Sequence, residues 1–310
     1  MINRLLFPLP DLVQASHMSN QGKLGDKTVN RVGFGAMQLA GPGVFGPPRD
    51  PEAAAAVLRR ALELGVDHLD TAQYYGPDTV NALIRATLHP YPEALRIVTK
   101  VGGRRDGEGG WLPAQTPREL RAGVEDNLRA LAIERIDAVN LRRMADGAAA
   151  VPLAEQLGAL EDLRRAGKLD LIGVSNVTHA ELEQALELVE IACVQNPYSI
   201  LDRSGDDVLE LCAERGIAFV PFFPLGSAFT GGPRALADDP AIAATAAKHE
   251  ATPSQVALAW LLARDERILL IPGTASVAHL EENVAAGQLA LDDEDMALLA
   301  SVEEVGVPHA

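Results

Sequence analysis

The chain is short of cysteine, of positive charge and of long apolar runs, and each shortage excludes something. Only Cys193 and Cys212 occur among 310 residues. One falls in an expected strand and the other in an expected helix, so no disulfide framework is implied and a reducing cytoplasm fits. Lys and Arg number 27 against 43 Asp and Glu, a formal net charge of −16. Nucleic acid and anionic membrane both require a cationic surface, so neither suits this chain as a partner. No apolar run approaches the roughly 18 residues that cross a bilayer, which reads as a soluble protein. The histidines are scattered without ligand spacing, and no metal site is expected. Asn176-Val177-Thr178 fits a glycosylation acceptor, but no secretory signal accompanies it. The dipeptide His17-Met18 has the form of an expression-vector cloning junction, which places the natural start at Met18. Residues 1–23 are therefore set apart as a leader, vector-derived to residue 17, and 24–310 as one domain.

What is present is a regular alternation of two kinds of segment, with 47% hydrophobic residues to build one large core. Val32 to Met37 is a short apolar strand whose glycines let a ligand or another backbone approach. Gly41 to Arg49 is too rich in Gly and Pro for regular structure. Asp50-Pro51 then caps a helix in which Val57, Leu58, Ala61 and Leu62 recur at helical spacing until Gly65. Strands follow at Val66–Asp70, Arg96–Lys100, Ile136–Leu141, Leu171–Val174, Cys193–Gln195, Ala218–Phe222 and Ile268–Ile271. Between them lie helices at Asn81–Leu88, Thr116 to about Leu131, Pro152–Ala166, Ala180–Glu190, Asp207–Arg215 and Thr252–Ala263, with an irregular stretch before the last. Eight strands alternating with helices predict an α/β fold, a closed (β/α)8 TIM barrel, whose chemistry sits at the carboxyl ends of the strands. An open doubly wound sheet would alternate in the same way, but no G-x-G-x-x-G turn opens a helix after the first strand.

The stretch Asp70-Thr71-Ala72-Gln73-Tyr74-Tyr75-Gly76-Pro77 puts a carboxylate and a phenol at one strand end. Tyr75 can serve as a general acid if a cation lowers its pKa from ~10, and Lys100 closes the next strand. Asp70 would orient Lys100 and keep it charged. His68, two residues before Asp70 in the same strand, reads as a core histidine, and the two cysteines as buried thiols.

Asp70, Tyr75 and Lys100 resemble three of the four catalytic positions of the aldo-keto reductases, nicotinamide-dependent carbonyl reductases. The fourth position in that family is a histidine after a leucine. Here Leu141 is followed by Arg142, which stays protonated and supplies charge and hydrogen bonds but no neutral proton shuttle. Together with Gly35–Asp50 and Val220–Gly226, the Leu-Arg variant is similar to a bacterial branch that includes pyridoxal reductases. The resemblance runs from about residue 24 to the C-terminus and implies reduction of pyridoxal to pyridoxine with NADP(H). A cationic Arg142 also suits a phenolate-type oxygen beside the aldehyde.

The resemblance further implies a cofactor cradle. Gly35 and Ala36 lie at the first strand end, and Ser175, Asn176 and Gln195 correspond to the positions that hold the nicotinamide carboxamide. Phe222 would stack on the ring. Pro224, Leu225, Gly226 and Ser227 resemble the pyrophosphate clamp. Ile271, Gly273, Thr274, Ser276, His279, Glu282 and Asn283 close the site after the last strand, where free N–H groups favour phosphate. His279 stands where many relatives grip the 2′-phosphate with arginine. Met37, Phe45 and Trp111, on loops, are the expected apolar wall for substrate. The expected partner is a small carbonyl compound, with a broad aldehyde or ketone reductase and a cofactor-binding regulatory subunit as the alternatives. Oligomeric state is left open.

Overall fold

A computed structural model describes residues 20–144, 151–227 and 231–305. The expected vector-derived leader lies outside the described residues, as do the last five residues of the 24–310 domain. Seven parallel strands follow one another round a sheet in chain order: Phe34–Gly35, His68–Asp70, Arg96–Val101, Ile136–Arg142, Leu169–Ser175, Cys193–Gln195 and Ala218–Phe219. The remaining gap is closed by the segment expected as the last strand. Phe219 bridges Ile268 and Val32 bridges Leu270, both in parallel, with Leu269 donating to Phe219 O at 2.9 Å and Gly33 to Leu270 O at 2.8 Å. The chain therefore closes an eight-membered ring.

Alternation along each strand sorts its side chains between two cores, since successive residues point to opposite faces. Val98, Ala138, Cys193, Ala218, Val220, Leu269 and Ile271 cluster inside the ring. Their neighbours Val139, Leu141, Ile172, Val174, Val194, Phe219 and Leu270 belong to the larger core beneath the helices. Following the inner face toward the carboxyl ends, Val98 is succeeded by Lys100, Ala138 by Asn140 and Arg142, and Cys193 by Gln195. An apolar floor thus gives way to a polar mouth.

The helices form where the sequence caps them. Asp50 accepts from the Glu52 and Ala53 amides at the start of Pro51–Glu63. Thr116, Thr178 and Thr252 form reciprocal capping boxes with Glu119, Glu181 and Gln255. Four features differ from the sequence expectation. The hairpin Gln21–Leu24/Lys27–Asn30 begins inside the stretch set apart as leader. Leu24 and Val29 are buried in the ring's interior cluster, and Gly25 lies against Leu171 and Ala192, so the hairpin plugs the barrel at its amino end. The glycine-rich segment after Lys100 is a second antiparallel hairpin, Gly103–Arg105/Trp111–Pro113. Ala36 and Met37 leave the first strand for a 3-10 turn, Ala36–Leu39. The stretch read as irregular contains the helices Gly232–Asp238 and Pro240–Lys248, and Asp293–Leu299 adds another.

Among the described residues no helix is long and apolar enough to cross a membrane. Both cysteines are free and buried, and burial pushes each thiol up to about 12. His68 is buried and sits in the notch left by Gly33. Neither ring nitrogen finds a hydrogen bond among the described residues, Nδ1 standing 3.5 Å from Asp67 Oδ1.

Candidate active site

Four residues expected to carry chemistry meet at the mouth. Asp70 and Lys100 end adjacent strands, both almost fully buried, and the Lys100 ammonium is ion-paired to Asp70 Oδ1. A second Lys100 bond runs to Thr71 O at 3.2 Å. The other carboxylate oxygen, Asp70 Oδ2, accepts from Gln195 Nε2 at 2.6 Å. Lys100 Nζ lies 5.1 Å from the centre of the Tyr75 ring. Arg142 lays its guanidinium 5.3 Å from the centre of Phe222.

The electrostatics differ from the sequence expectation. Burial raises the Tyr75 phenol well above its ordinary value, and the Asp70 carboxylate raises it further. Arg142, not Lys100, is the cation that pulls it back down. Lys100 is committed to Asp70. Tyr75 is thereby kept protonated, the state a proton donor requires.

The expected cofactor residues divide into three groups. Ser175 Oγ and Gln195 Oε1 are buried and find no hydrogen-bond partner among the described residues. Asp70 accepts only, so Gln195 must turn Nε2 toward it, leaving Oε1 to accept from a ligand. Such orphaned polar groups are costly unless something satisfies them, and a carboxamide, with one acceptor and two donors, fits this pair. Asn176, at φ 59°, turns its side-chain amide to Arg143 O at 3.0 Å. Phe222 carries an aromatic face beside Arg142.

A second group has structural duties. Gly35 and Gly273 pack backbone to backbone at the seam of first and last strands: a Cβ on Gly35 would strike Ile271 O, and one on Gly273 would stand 2.5 Å from Gly35 O. Their missing side chains make room for the chain itself. Ile271 belongs to the ring's interior cluster, and Leu225 packs on the larger core. Pro224 and Leu225 lie in a turn closed by Gly226 N donating to Phe223 O at 2.8 Å, and Ser227 follows it. Exposed Phe223 sits there at φ 58°, strain for a side-chain-bearing residue.

The third group gathers at the start of the helix Val277–Ala285. Thr274 Oγ1 accepts from Ser276 N at 3.0 Å, and Ser276 Oγ caps the helix at His279 N, 3.4 Å. His279 is exposed, Glu282 half-buried and Asn283 buried, so the first helical turn offers amides and an imidazole to an anion.

Of the expected wall, Met37 lies in the turn after the first strand and Phe45 on a loop, while Trp111, expected on a loop, opens the strand Trp111–Pro113. Sequence reasoning missed a buried polar network behind Arg142. Gln115 Nε2 donates to Arg142 O at 2.8 Å, Gln156 Nε2 to Gln115 Oε1 at 3.0 Å, and Arg143 Nη1 to Gln156 Oε1 at 2.6 Å. Arg143 also pairs with Glu181 at 2.9 Å. The available signal was an arginine directly after a strand and a Thr-x-x-Glu capping box across from it.

A barrel whose mouth holds a buried neutral phenol, a paired lysine and two unsatisfied polar atoms has the makings of a carbonyl reductase. The chain belongs to the Aldo/keto reductase family, whose model matches residues 31–304. It is 50% identical over 287 residues to pyridoxine 4-dehydrogenase of Escherichia coli, covering 92% of this chain and 98% of that protein. It is 38% identical to an uncharacterized oxidoreductase of Schizosaccharomyces pombe, over 92% of this chain and 89% of that one. Among solved structures, an aldo-keto reductase from Klebsiella pneumoniae in complex with NADPH superposes with a TM-score of 0.74 at 25% identity, over 90% of this chain and 94% of that one. A thermostable aldo-keto reductase bound to the inhibitor epalrestat gives 0.76 at 28% identity, over 91% and 98%.

Proposed function

We propose that this enzyme reduces pyridoxal to pyridoxine with NADPH, and that Tyr75 donates the proton. The observation that carries the reading is the convergence on one strand-end floor of a neutral phenol, the Asp70–Lys100 pair and the Arg142 guanidinium. The similarity to pyridoxine 4-dehydrogenase supports the substrate, and the NADPH complex of the Klebsiella enzyme supports the cofactor.

When bound, NADPH supplies the hydride. Ser175 Oγ and Gln195 Oε1 would hold its carboxamide, and the Phe222 ring would give its nicotinamide an aromatic surface to rest on. Arg142 then donates to the aldehyde oxygen, where negative charge develops as the hydride arrives. Tyr75 gives that oxygen its proton, and the phenolate left behind is stabilised by Arg142. Pyridoxal carries an ionisable ring oxygen beside the aldehyde, which a permanent guanidinium suits better than a neutral imidazole. Ser276, His279 and the amides at the start of the helix Val277–Ala285 are assigned to the 2′-phosphate. We place the reaction in the cytoplasm, consistent with two free, buried thiols.

The test is cofactor oxidation, followed by its absorbance, with pyridoxal and unrelated aldehydes and with NADPH and NADH in parallel. Selective turnover of pyridoxal with NADPH is expected. Equal turnover of many aldehydes would replace pyridoxal by a broad substrate range.

A further inference from the structure

Two loops meet above the mouth, and one side chain joins them. Arg105 ends the strand Gly103–Arg105 and lays its guanidinium 4.0 Å from the centre of the Trp111 ring and 5.6 Å from that of Phe45. Its Nη2 donates to Gly43 O at 2.7 Å, in the loop that carries Phe45. The fit is close. Gly109 lies on the Phe45 ring, where a Cβ would stand 3.1 Å away. Asp106 fixes the hairpin tip by accepting from the Glu108 and Gly110 amides at 2.9 and 2.7 Å.

Both loops are fastened to the segment that bears Tyr75. From the first loop, Val44 O accepts from Gly76 N at 3.1 Å and Gly46 O from Thr79 Oγ1 at 3.1 Å. From the hairpin, Trp111 meets Tyr74 edge-on at 5.4 Å, and Tyr74 meets Tyr75 edge-on at 5.5 Å. One route of hydrogen bonds and one of rings thus run from Arg105 to the proton donor.

We infer that Arg105 is a positioning residue that fixes Phe45 and Trp111 as one preformed wall beside Tyr75, and that this wall selects flat aromatic aldehydes over aliphatic ones. This deepens the pyridoxal reading and rests on it. Arg105 Nε and Nη1 are buried and find no hydrogen-bond partner among the described residues, so the rings and a single carbonyl hold the cation. A planar guanidinium stacks on rings where an ammonium does not. Trp111 remains 43% exposed, leaving surface for a substrate ring to cover.

The experiment compares the wild type with Arg105→Met and Arg105→Lys, using pyridoxal, benzaldehyde and butanal as substrates. Acrylamide quenching supplies a second readout, because the chain's other tryptophan, Trp260, is buried and only Trp111 responds. In Arg105→Met the KM for pyridoxal should rise about tenfold, with kcat changing less than about threefold and Trp111 quenching increased. The butanal KM and the NADPH affinity should stay put, the latter also reporting an intact fold. Arg105→Lys should restore little, since planarity is lost. Unchanged quenching would overturn the clamp, and increased quenching with an unchanged aromatic KM would overturn its role in selection. Should the wild type ignore pyridoxal, the pyridoxal reading fails, while quenching and the benzaldehyde KM still decide the wall.

Discussion

Gln195 Nε2 donates to Asp70 Oδ2 at 2.6 Å, so the carboxylate that holds Lys100 is tied to the amide proposed to meet the cofactor. The bond fixes which end of the Gln195 amide a ligand meets. Replacing Gln195 with Met removes the free acceptor and leaves one Asp70 oxygen unpaired. NADPH should then bind about tenfold more weakly, the worth of one hydrogen bond to a charged or well-placed partner, as read by fluorescence titration of the cofactor.

Lys100 and Asp70 are both buried, which makes the pair costly to break on one side. Lys100→Met strands a carboxylate in the barrel mouth and should cost about 3–5 kcal/mol in urea unfolding. The double variant Asp70→Asn/Lys100→Met should regain most of that stability while remaining inactive. This separates the pair's structural duty from its chemical one.

Arg142 acts on Tyr75 through charge, and the sign of the effect can be followed with pH. Reduction needs the phenol protonated, so activity is lost as pH rises through the Tyr75 pKa. Burial already holds this pKa well above its ordinary ~10 and removing the cation raises it further, so neither the wild type nor Arg142→Met should lose activity to Tyr75 ionisation below about pH 10. Its kcat at neutral pH should fall about 10²-fold, as for loss of an oxyanion donor. Arg142→His should keep more of the wild-type rate at pH 6 than at pH 8, because an imidazole is charged only below roughly 6.5. Full pyridoxal activity of that variant at pH 8 would dismiss a special role for arginine.

Much of this arrangement was legible in the chain. Strong periodicity and caps such as Asp50, Thr116 and Thr252 located helices, and apolar runs ending in Asp70, Lys100 and Gln195 located strands. What escaped depends on packing over long sequence distances. The hairpin Gln21–Leu24/Lys27–Asn30 is short and mostly polar, and only Leu24 and Val29 reveal that it plugs a barrel. The glycines of the first strand left open whether a ligand or another backbone comes close, and at Gly35 it is the backbone of Ile271 from across the ring. Nothing local to Arg105 or Arg143 announces the rings or the carboxylate that receive them. The direction of the Tyr75 shift needed burial, which no spacing supplies.

Glu181 gives a pH test of the network behind Arg142. Burial works against its charge, but the Thr178 amide and Arg143 outweigh it and hold the carboxyl below its ordinary value. A depressed carboxylate stabilises the fold above its unfolded pKa of roughly 4.3, and that contribution is lost as pH falls through the lower folded value. Glu181→Gln should cost about 2 kcal/mol at pH 7. The gap to wild type should close below about pH 4 in denaturant titrations.

The most direct measurement is single-turnover reduction of pyridoxal by the wild type and by Tyr75→Phe, with NADPH affinity measured on the same samples. The variant should bind NADPH as the wild type does and transfer hydride about 10²- to 10⁴-fold more slowly, the usual worth of a positioned acid. Undiminished reduction by Tyr75→Phe would contradict Tyr75 as the proton donor. Tight NADPH binding by the wild type without turnover of any aldehyde would contradict catalysis at this site altogether.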